Sequence, residues 1–191
     1  GPFRETRRRI HFQLYFPGDT GTAFCTTAQP VSLRIISGKY KGKALHPPAG
    51  LRARPTTDFA KEGLFNILGN HFSFGDIEVA DLFSGTGSIG YEFASRGAKK
   101  VLMVENREVH TRFIRKTILQ LGLDACRVYP GNVFVYLKKP GGPFDIVFAD
   151  PPYDMDNLDD LPALVLDGGF LKSGGWFVLE HGKKHRFESH P

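Results

Sequence analysis

ADLFSGTGSIG, Ala80 to Gly90, is the stretch on which the fold turns. An apolar strand pattern runs into it and a helical pattern leaves it, so Gly85, Gly87 and Gly90 form a GxGxxG in a strand-turn-helix context. Glycines there allow a tight turn and let a ligand approach the backbone closely. Outward from this turn, short apolar runs at 77–83, 100–105, 127–129, 144–149 and 176–179 alternate with helical stretches. That alternation predicts a parallel sheet with helices on its faces. Between the second and third strands, REVHTRFIRKTILQLGL sets Ile114, Ile118 and Leu121 at helical spacing, with Gly122 as the stop. An earlier helix begins near Asp58, takes Leu64, Phe65, Ile67 and Leu68 as its apolar surface, and ends at Gly69-Asn70.

The chain has 191 residues, 41% apolar and 24% charged, which excludes a wholly disordered, collagen-like or coiled-coil protein. No apolar run approaches the roughly 18 residues of a membrane-spanning helix, and no signal peptide pattern opens the chain. A cytoplasmic, monomeric protein is expected. Cys25 and Cys126 have no Cys or His at metal-ligand spacing, so unpaired thiols and no metal site are expected. Charge is divided unevenly. Residues 1–57 hold ten Lys or Arg against Glu5 and Asp19, a balance of +8, which leaves −3 for residues 58–191. A basic leading segment suits a polyanionic partner, because Lys and Arg that neutralise phosphates release counterions. On charge alone, a merely solvated surface explains it equally well.

Glu105 lies 20 residues after Gly85, at the end of the second strand, where a carboxylate can bind both hydroxyls of a ribose. That fits a dinucleotide or S-adenosylmethionine. Asp81, near the end of the first strand, separates the two. A carboxylate repels a pyrophosphate, whereas the ammonium and sulfonium of adenosylmethionine favour an anion. A dehydrogenase therefore ranks well behind a methyltransferase.

Asp150-Pro151-Pro152-Tyr153 follows the fourth strand, at the carboxyl edge where open parallel sheets bind ligands. An exocyclic amine on a nucleobase is a poor nucleophile because its lone pair is delocalised into the ring. The Asp150 carboxylate and the Pro151 carbonyl suit its two hydrogens, and Tyr153 offers a stacking face for the base. The two prolines restrict the backbone. A Pro-rich turn capped by Asp150 is the plain alternative. The seven His residues are scattered, and His46 and His110 are expected at the surface or in packing.

LRIISGKYKGKAL (33–45), LRARPTTDFAKEGLFNIL (51–68), DLFSGTGSIGYEFASRGA (81–98), VENR (104–107) and FDIVFADPPY (144–153) together resemble the RsmD family of 16S ribosomal RNA guanine-N2 methyltransferases. The resemblance implies a Rossmann-like class I fold: a mostly parallel seven-stranded sheet with helices on both faces, preceded by a small basic hairpin. It implies methyl transfer from S-adenosylmethionine to N2 of a guanine in small-subunit RNA, with an assembly particle as partner. Catalysis falls to Asp150, Pro151, Pro152 and Tyr153. Cofactor binding falls to Arg54, Thr56, Thr57, Asp81, Phe83, Ser84, Gly85, Thr86, Gly87, Ser88, Glu105, Asn106, Asn132 and Val133. RNA binding falls to Arg34, Lys39, Lys41, Lys43 and Arg52. Asn132 stands where the family usually has Asp contacting the adenine amino group, and its side-chain oxygen is expected to accept the same hydrogen bond.

The family continues past its fifth strand into a terminal hairpin, and FRETRRRIHFQLYF, Phe3 to Phe16, has a similar pattern. A circular permutation is therefore expected: residues 1–16 supply the last strands, 17–32 link, 33–57 form the basic segment and 58–191 the methyltransferase domain. The second-ranked functions are adenine-N6 methylation of DNA, methylation of a glutamine amide in protein, and an inactive RNA-binding assembly factor.

Overall fold

Strict alternation along the buried strands decides which face each side chain serves. In the strand Glu78–Leu82, Val79 joins a core with Val101, Ile146 and Trp176 on one face; Ala80 and Leu82 join Val104, Val147 and Phe177 on the other. The structure is a computed structural model that describes residues 33–48, 51, 58–152 and 155–181, together with the backbone of 9–10. In chain order its strands are β1 (Arg9–Ile10), β2 (Leu33–Arg34), β3 (Ala44–Leu45), β4 (Glu78–Leu82), β5 (Lys100–Glu105), β6 (Cys126–Pro130), β7 (Phe144–Ala149) and β8 (Leu171–Leu179). The helices are α1 (Asp58–Gly69), α2 (Ser88–Ser95), α3 (Glu108–Leu121), α4 (Val133–Leu137) and α5 (Leu161–Leu166).

One sheet runs β1-β8-β7-β4-β5-β6 with every neighbouring pair parallel. Helices α1, α2 and α3 cover one face and α4 and α5 the other. The chain steps outward from β4 to β5 and β6, then returns to β7 on the far side of β4. Loops leaving β4 and β7 therefore part in opposite directions at the carboxyl edge, which opens a crevice between them.

The sheet is Rossmann-like, with six strands among the described residues rather than seven. Its last strand begins five residues earlier than the apolar run at 176–179 suggests. Leu171 pairs with Phe144 and Trp176 with Ile146, so Lys172 to Gly175 loop out of register while the strand continues. A polar, glycine-rich insert hides that continuity from an alternation pattern. Arg9–Ile10 lies parallel to Trp176–Phe177 at the sheet edge. The remainder of 1–32, and hence the proposed terminal hairpin and linker, lies outside the described residues. Cys126 is buried and unpaired among the described residues.

The basic segment is seated on the domain rather than hung from it. Strands β2 and β3 pair antiparallel, and Leu33, Ile35 and Leu45 enter the same core as α1 and α2. Glu92, fully buried on α2, accepts the N–H of Ile36 at 2.8 Å and of Ser37 at 3.0 Å. Arg96 one turn later donates to the same carboxylate at 2.9 Å and offsets its charge. Ser95 receives the N–H of Lys39 on its carbonyl and that of Tyr40 on its hydroxyl. Gly38 has φ +80°, and a Cβ there would stand 1.9 Å from the Ser95 carbonyl oxygen, so the close seat requires glycine. Buried Lys61 on α1 donates to the Arg34 carbonyl and completes the attachment.

Glu92→Ala leaves two half-buried N–H groups and the Arg96 guanidinium without their acceptor. It is expected to lower unfolding stability by about 3 kcal/mol. Urea unfolding of both proteins checks this, and a loss below about 1 kcal/mol removes Glu92 as the anchor.

Candidate active site

Each acidic group of the crevice comes from the end of a different strand. Asp81 is the penultimate residue of β4, Glu105 the last of β5, and Asp150 follows β7. Pairing of Leu82 with both Val104 and Ala149 holds the three strand ends level. The turn after β4 is tightly fixed. The Ser84 N–H donates to the Val104 carbonyl at 3.0 Å, its hydroxyl donates to the Asp81 carbonyl at 2.7 Å, and the Gly87 N–H donates to the Ser84 carbonyl at 2.7 Å. Phe83, with φ 61°, takes the left-handed conformation at a cost of about 1–2 kcal/mol. Backbone strain of this kind persists where surrounding bonds over-determine it.

Asp81 is 2% exposed and accepts the Gly90 N–H at 3.1 Å. A Cβ at Gly90 would stand 2.1 Å from the end of the Met103 side chain and 3.2 Å from that carboxylate, so a larger residue would have to displace Met103. Burial pushes the Asp81 carboxyl up to about 8; the Gly90 N–H opposes the shift, and the charge of Asp150 adds to it. Glu105 keeps two donors. Its Oε2 accepts the Gly85 N–H at 2.8 Å and its Oε1 the Arg107 N–H at 2.7 Å, which ties the carboxylate to the turn on one side and to the start of α3 on the other.

These groups line a cleft of about 520 Å³. Of the expected cofactor set, Asp81, Phe83, Ser84, Gly85, Thr86, Ser88, Glu105, Asn106, Asn132 and Val133 face it, together with Asp150, Pro151 and Pro152. Gly87 is buried behind the turn, with φ +86°. Arg52, Arg54, Thr56, Thr57 and Tyr153 lie outside the described residues. The oxygen of Asn132 accepts the N–H groups of Phe134 and Val135 and caps α4.

Sequence reasoning missed His110. It sits in the first turn of α3, 4% exposed, on the wall of the cleft, with Nδ1 3.6 Å from Glu105 Oε1. Neither ring nitrogen has a hydrogen-bond partner among the described residues. A buried histidine at helical spacing has the same sequence signature as a packing residue, so no pattern reveals it.

The basic residues are placed elsewhere. Lys39, Lys41 and Lys43 are exposed, and Arg34 spends its guanidinium on Asp58, with contacts of 2.9 and 3.0 Å. The hairpin tip meets the last residue of α2 and the Gly122 carbonyl after α3, at the amino edge of the sheet. The cleft opens at the carboxyl edge, about 17–20 Å away across a typical strand length.

Fold and site together define a Rossmann-like methyltransferase. The family described as Conserved hypothetical protein 95 matches residues 33–191. The ribosomal RNA small subunit methyltransferase D of Escherichia coli K12 is 34% identical over 148 residues, covering 78% of this chain and 74% of that protein. That of Buchnera aphidicola (subsp. Baizongia pistaciae) is 33% identical over 149 residues, covering 78% and 76%. A solved hypothetical protein of Thermus thermophilus superposes with a TM-score of 0.72 at 32% identity, covering 81% of this chain and 88% of that one. The chain belongs to this family, the ribosomal RNA small subunit methyltransferase D proteins.

The raised Asp81 carboxyl has a direct consequence for stability. In the unfolded chain it ionises near pH 4, and in the folded protein near 8, so the folded state holds more protons between these values and loses stability as pH rises through them. Asp81→Asn is therefore expected to raise the melting temperature by about 5 °C at pH 8, and by less at pH 5. Thermal unfolding of the ligand-free protein across that range is the measurement.

Proposed function

We propose that this protein transfers a methyl group from S-adenosylmethionine to the exocyclic N2 of a guanine in small-subunit ribosomal RNA, within an assembly particle. The observation that carries this reading is the convergence of Asp81, Glu105 and Asp150 on one cleft at the point where the strand order reverses. The residues fit the cofactor. Asp81 is a buried carboxyl in need of a cation, and Glu105 is a fixed carboxylate able to accept two vicinal hydroxyls.

When bound, adenosylmethionine supplies an electrophilic methyl group on a sulfonium. The chain supplies orientation. Asp150 and the Pro151 carbonyl accept the two hydrogens of the guanine amine and aim its lone pair at the methyl position. Tyr153 stacks on the extruded base, and Pro152 restricts the backbone between them. Arg54, Thr56 and Thr57 complete the methionine end. Lys39, Lys41, Lys43 and Arg52 contact phosphates without reading bases. Because the lysines stand at the opposite edge of the sheet from the cleft, one substrate touching both must span about 20 Å.

Asp150→Ala is expected to reduce methyl incorporation at least 100-fold while changing cofactor affinity less than about threefold. Labelled adenosylmethionine with hypomethylated small subunits, followed by mapping of the labelled nucleotide, tests activity and target together. Label on DNA but not on subunits rejects the substrate. A second expectation follows from Asp81. A cationic ligand favours its ionised form, so affinity for adenosylmethionine rises as pH is raised from 6 to 8, with a proton released on binding. Calorimetry in buffers of different ionisation enthalpy reads that proton.

A further inference from the structure

Helix α3 carries charge that its own stability does not require. Arg112, Arg115 and Lys116 are exposed, at spacings of three and four that place them on one face, while His110, Ile114 and Thr117 are buried on the other. A helix face that is merely solvated is commonly laced with pairs of opposite charge, and cations gain from the helix dipole only in the last turn. Neither applies to α3. Its last turn has no basic residue, and Arg112 has Arg115 and Lys116 as its neighbours one turn on, a like-charge arrangement that disfavours a helix. Glu108 meets Arg112 at 2.6 Å, but both side chains are exposed and such a pair is weak. Among the described residues, Arg115 and Lys116 have no ion-pair or hydrogen-bond partner. Between residues 107 and 121, Arg107, Arg112, Arg115 and Lys116 stand against one acid, Glu108, a balance of +3 inside a domain, 58–191, whose balance is −3.

The ends of α3 reach the two places that one substrate must touch. Its 14 residues make it about 21 Å long, close to the separation of the cleft from the basic hairpin. At its start, exposed Arg107 is the N-cap residue and lines the cleft. Just past its end, the Gly122 carbonyl accepts the Tyr40 hydroxyl at 3.3 Å, and the Lys39 Nζ lies 5.3 Å from the centre of the Tyr40 ring. Cations thus run from the cleft, along the outer face of α3, to the hairpin.

We propose, on the ribosomal RNA reading above, that Arg112, Arg115 and Lys116 form a docking track for the RNA phosphate backbone, joining the hairpin lysines to the cleft. Phosphates supply the opposite charge that this face lacks, and their neutralisation releases counterions. Arg112 can exchange the exposed Glu108 carboxylate for a phosphate, to which a guanidinium donates two parallel hydrogen bonds. Contacts of this kind fix the position of the RNA without reading its bases.

The test measures binding of the full chain to deproteinised small-subunit RNA and to hypomethylated small subunits across a salt series, with methyl transfer read on the subunits. Arg115→Gln combined with Lys116→Gln keeps good helix formers, so the variant is expected to fold with an unchanged melting temperature. It is expected to bind the RNA about tenfold more weakly at physiological salt, and to lower the slope of log affinity against log salt by about 1.5. The apparent KM for subunits rises with kcat retained, and affinity for S-adenosylhomocysteine is unchanged. Lys138→Gln combined with Lys139→Gln removes two exposed lysines that follow α4, on the other face of the sheet, and is expected to change none of these. An equal loss in both pairs, or an unchanged affinity and slope in the α3 pair, overturns the proposal. Weaker binding to subunits with unchanged binding to the free RNA assigns the stripe to a ribosomal protein and also overturns it. A wild type that binds RNA through the stripe but transfers no methyl group sinks the functional reading and leaves the track standing; one that does not bind the RNA sinks both.

Discussion

A carboxyl group buried at the end of a central strand is costly unless donors surround it, and Asp81 obtains its backbone donor from Gly90, nine residues on. That single bond requires the chain to leave β4, turn and enter α2 within a few residues. Glu105 makes a parallel demand: its two oxygens hold the Gly85 and Arg107 N–H groups and tie the turn to the next strand. The result is a cleft wall built of carboxyl groups held in place by backbone donors. Asp150 from the third strand end adds a further carboxylate, whose charge raises the Asp81 carboxyl.

Helix α2 carries this arrangement to the opposite edge of the domain. Its amino end forms the wall of the cleft, while Glu92 and Ser95 farther along hold the backbone of the basic hairpin. Asp81, Glu105 and Asp150 meet at the carboxyl edge and the exposed lysines of the hairpin stand at the amino edge, with Lys61 and Arg96 buried or half-buried against Glu92 and Asp58 between them. The hairpin is a rigid part of the domain, and its separation from the cleft sets a lower limit on the size of substrate that can touch both.

Much of this was legible in the residues. Strands 100–105 and 144–149 have the bounds that their apolar runs predict. Helix α3 stops at Gly122 in the left-handed conformation because only a glycine accepts that geometry at little cost. Asp81 and Glu105 were readable from their spacing to the glycines. The early start of β8 was not, because Lys172 to Gly175 leave the register and break the pattern while the strand continues. Nor was His110, whose burial beside Glu105 depends on how α3 lies against β5.

The sequence by itself determined the parallel architecture, the glycine turn, the acids at the strand ends and the unequal distribution of charge, since each depends on local periodicity or on residue type at fixed spacing. Tertiary structure alone decided which of these groups share a cleft and which way each polar atom faces. It set the oxygen of Asn132 against the helix, spent Arg34 on Asp58, and seated the lysines a sheet length from the acids of the cleft. The physical reason is that hydrogen-bond polarity and ion pairing are settled by partners brought together across distant parts of the chain, which spacing along one segment does not encode.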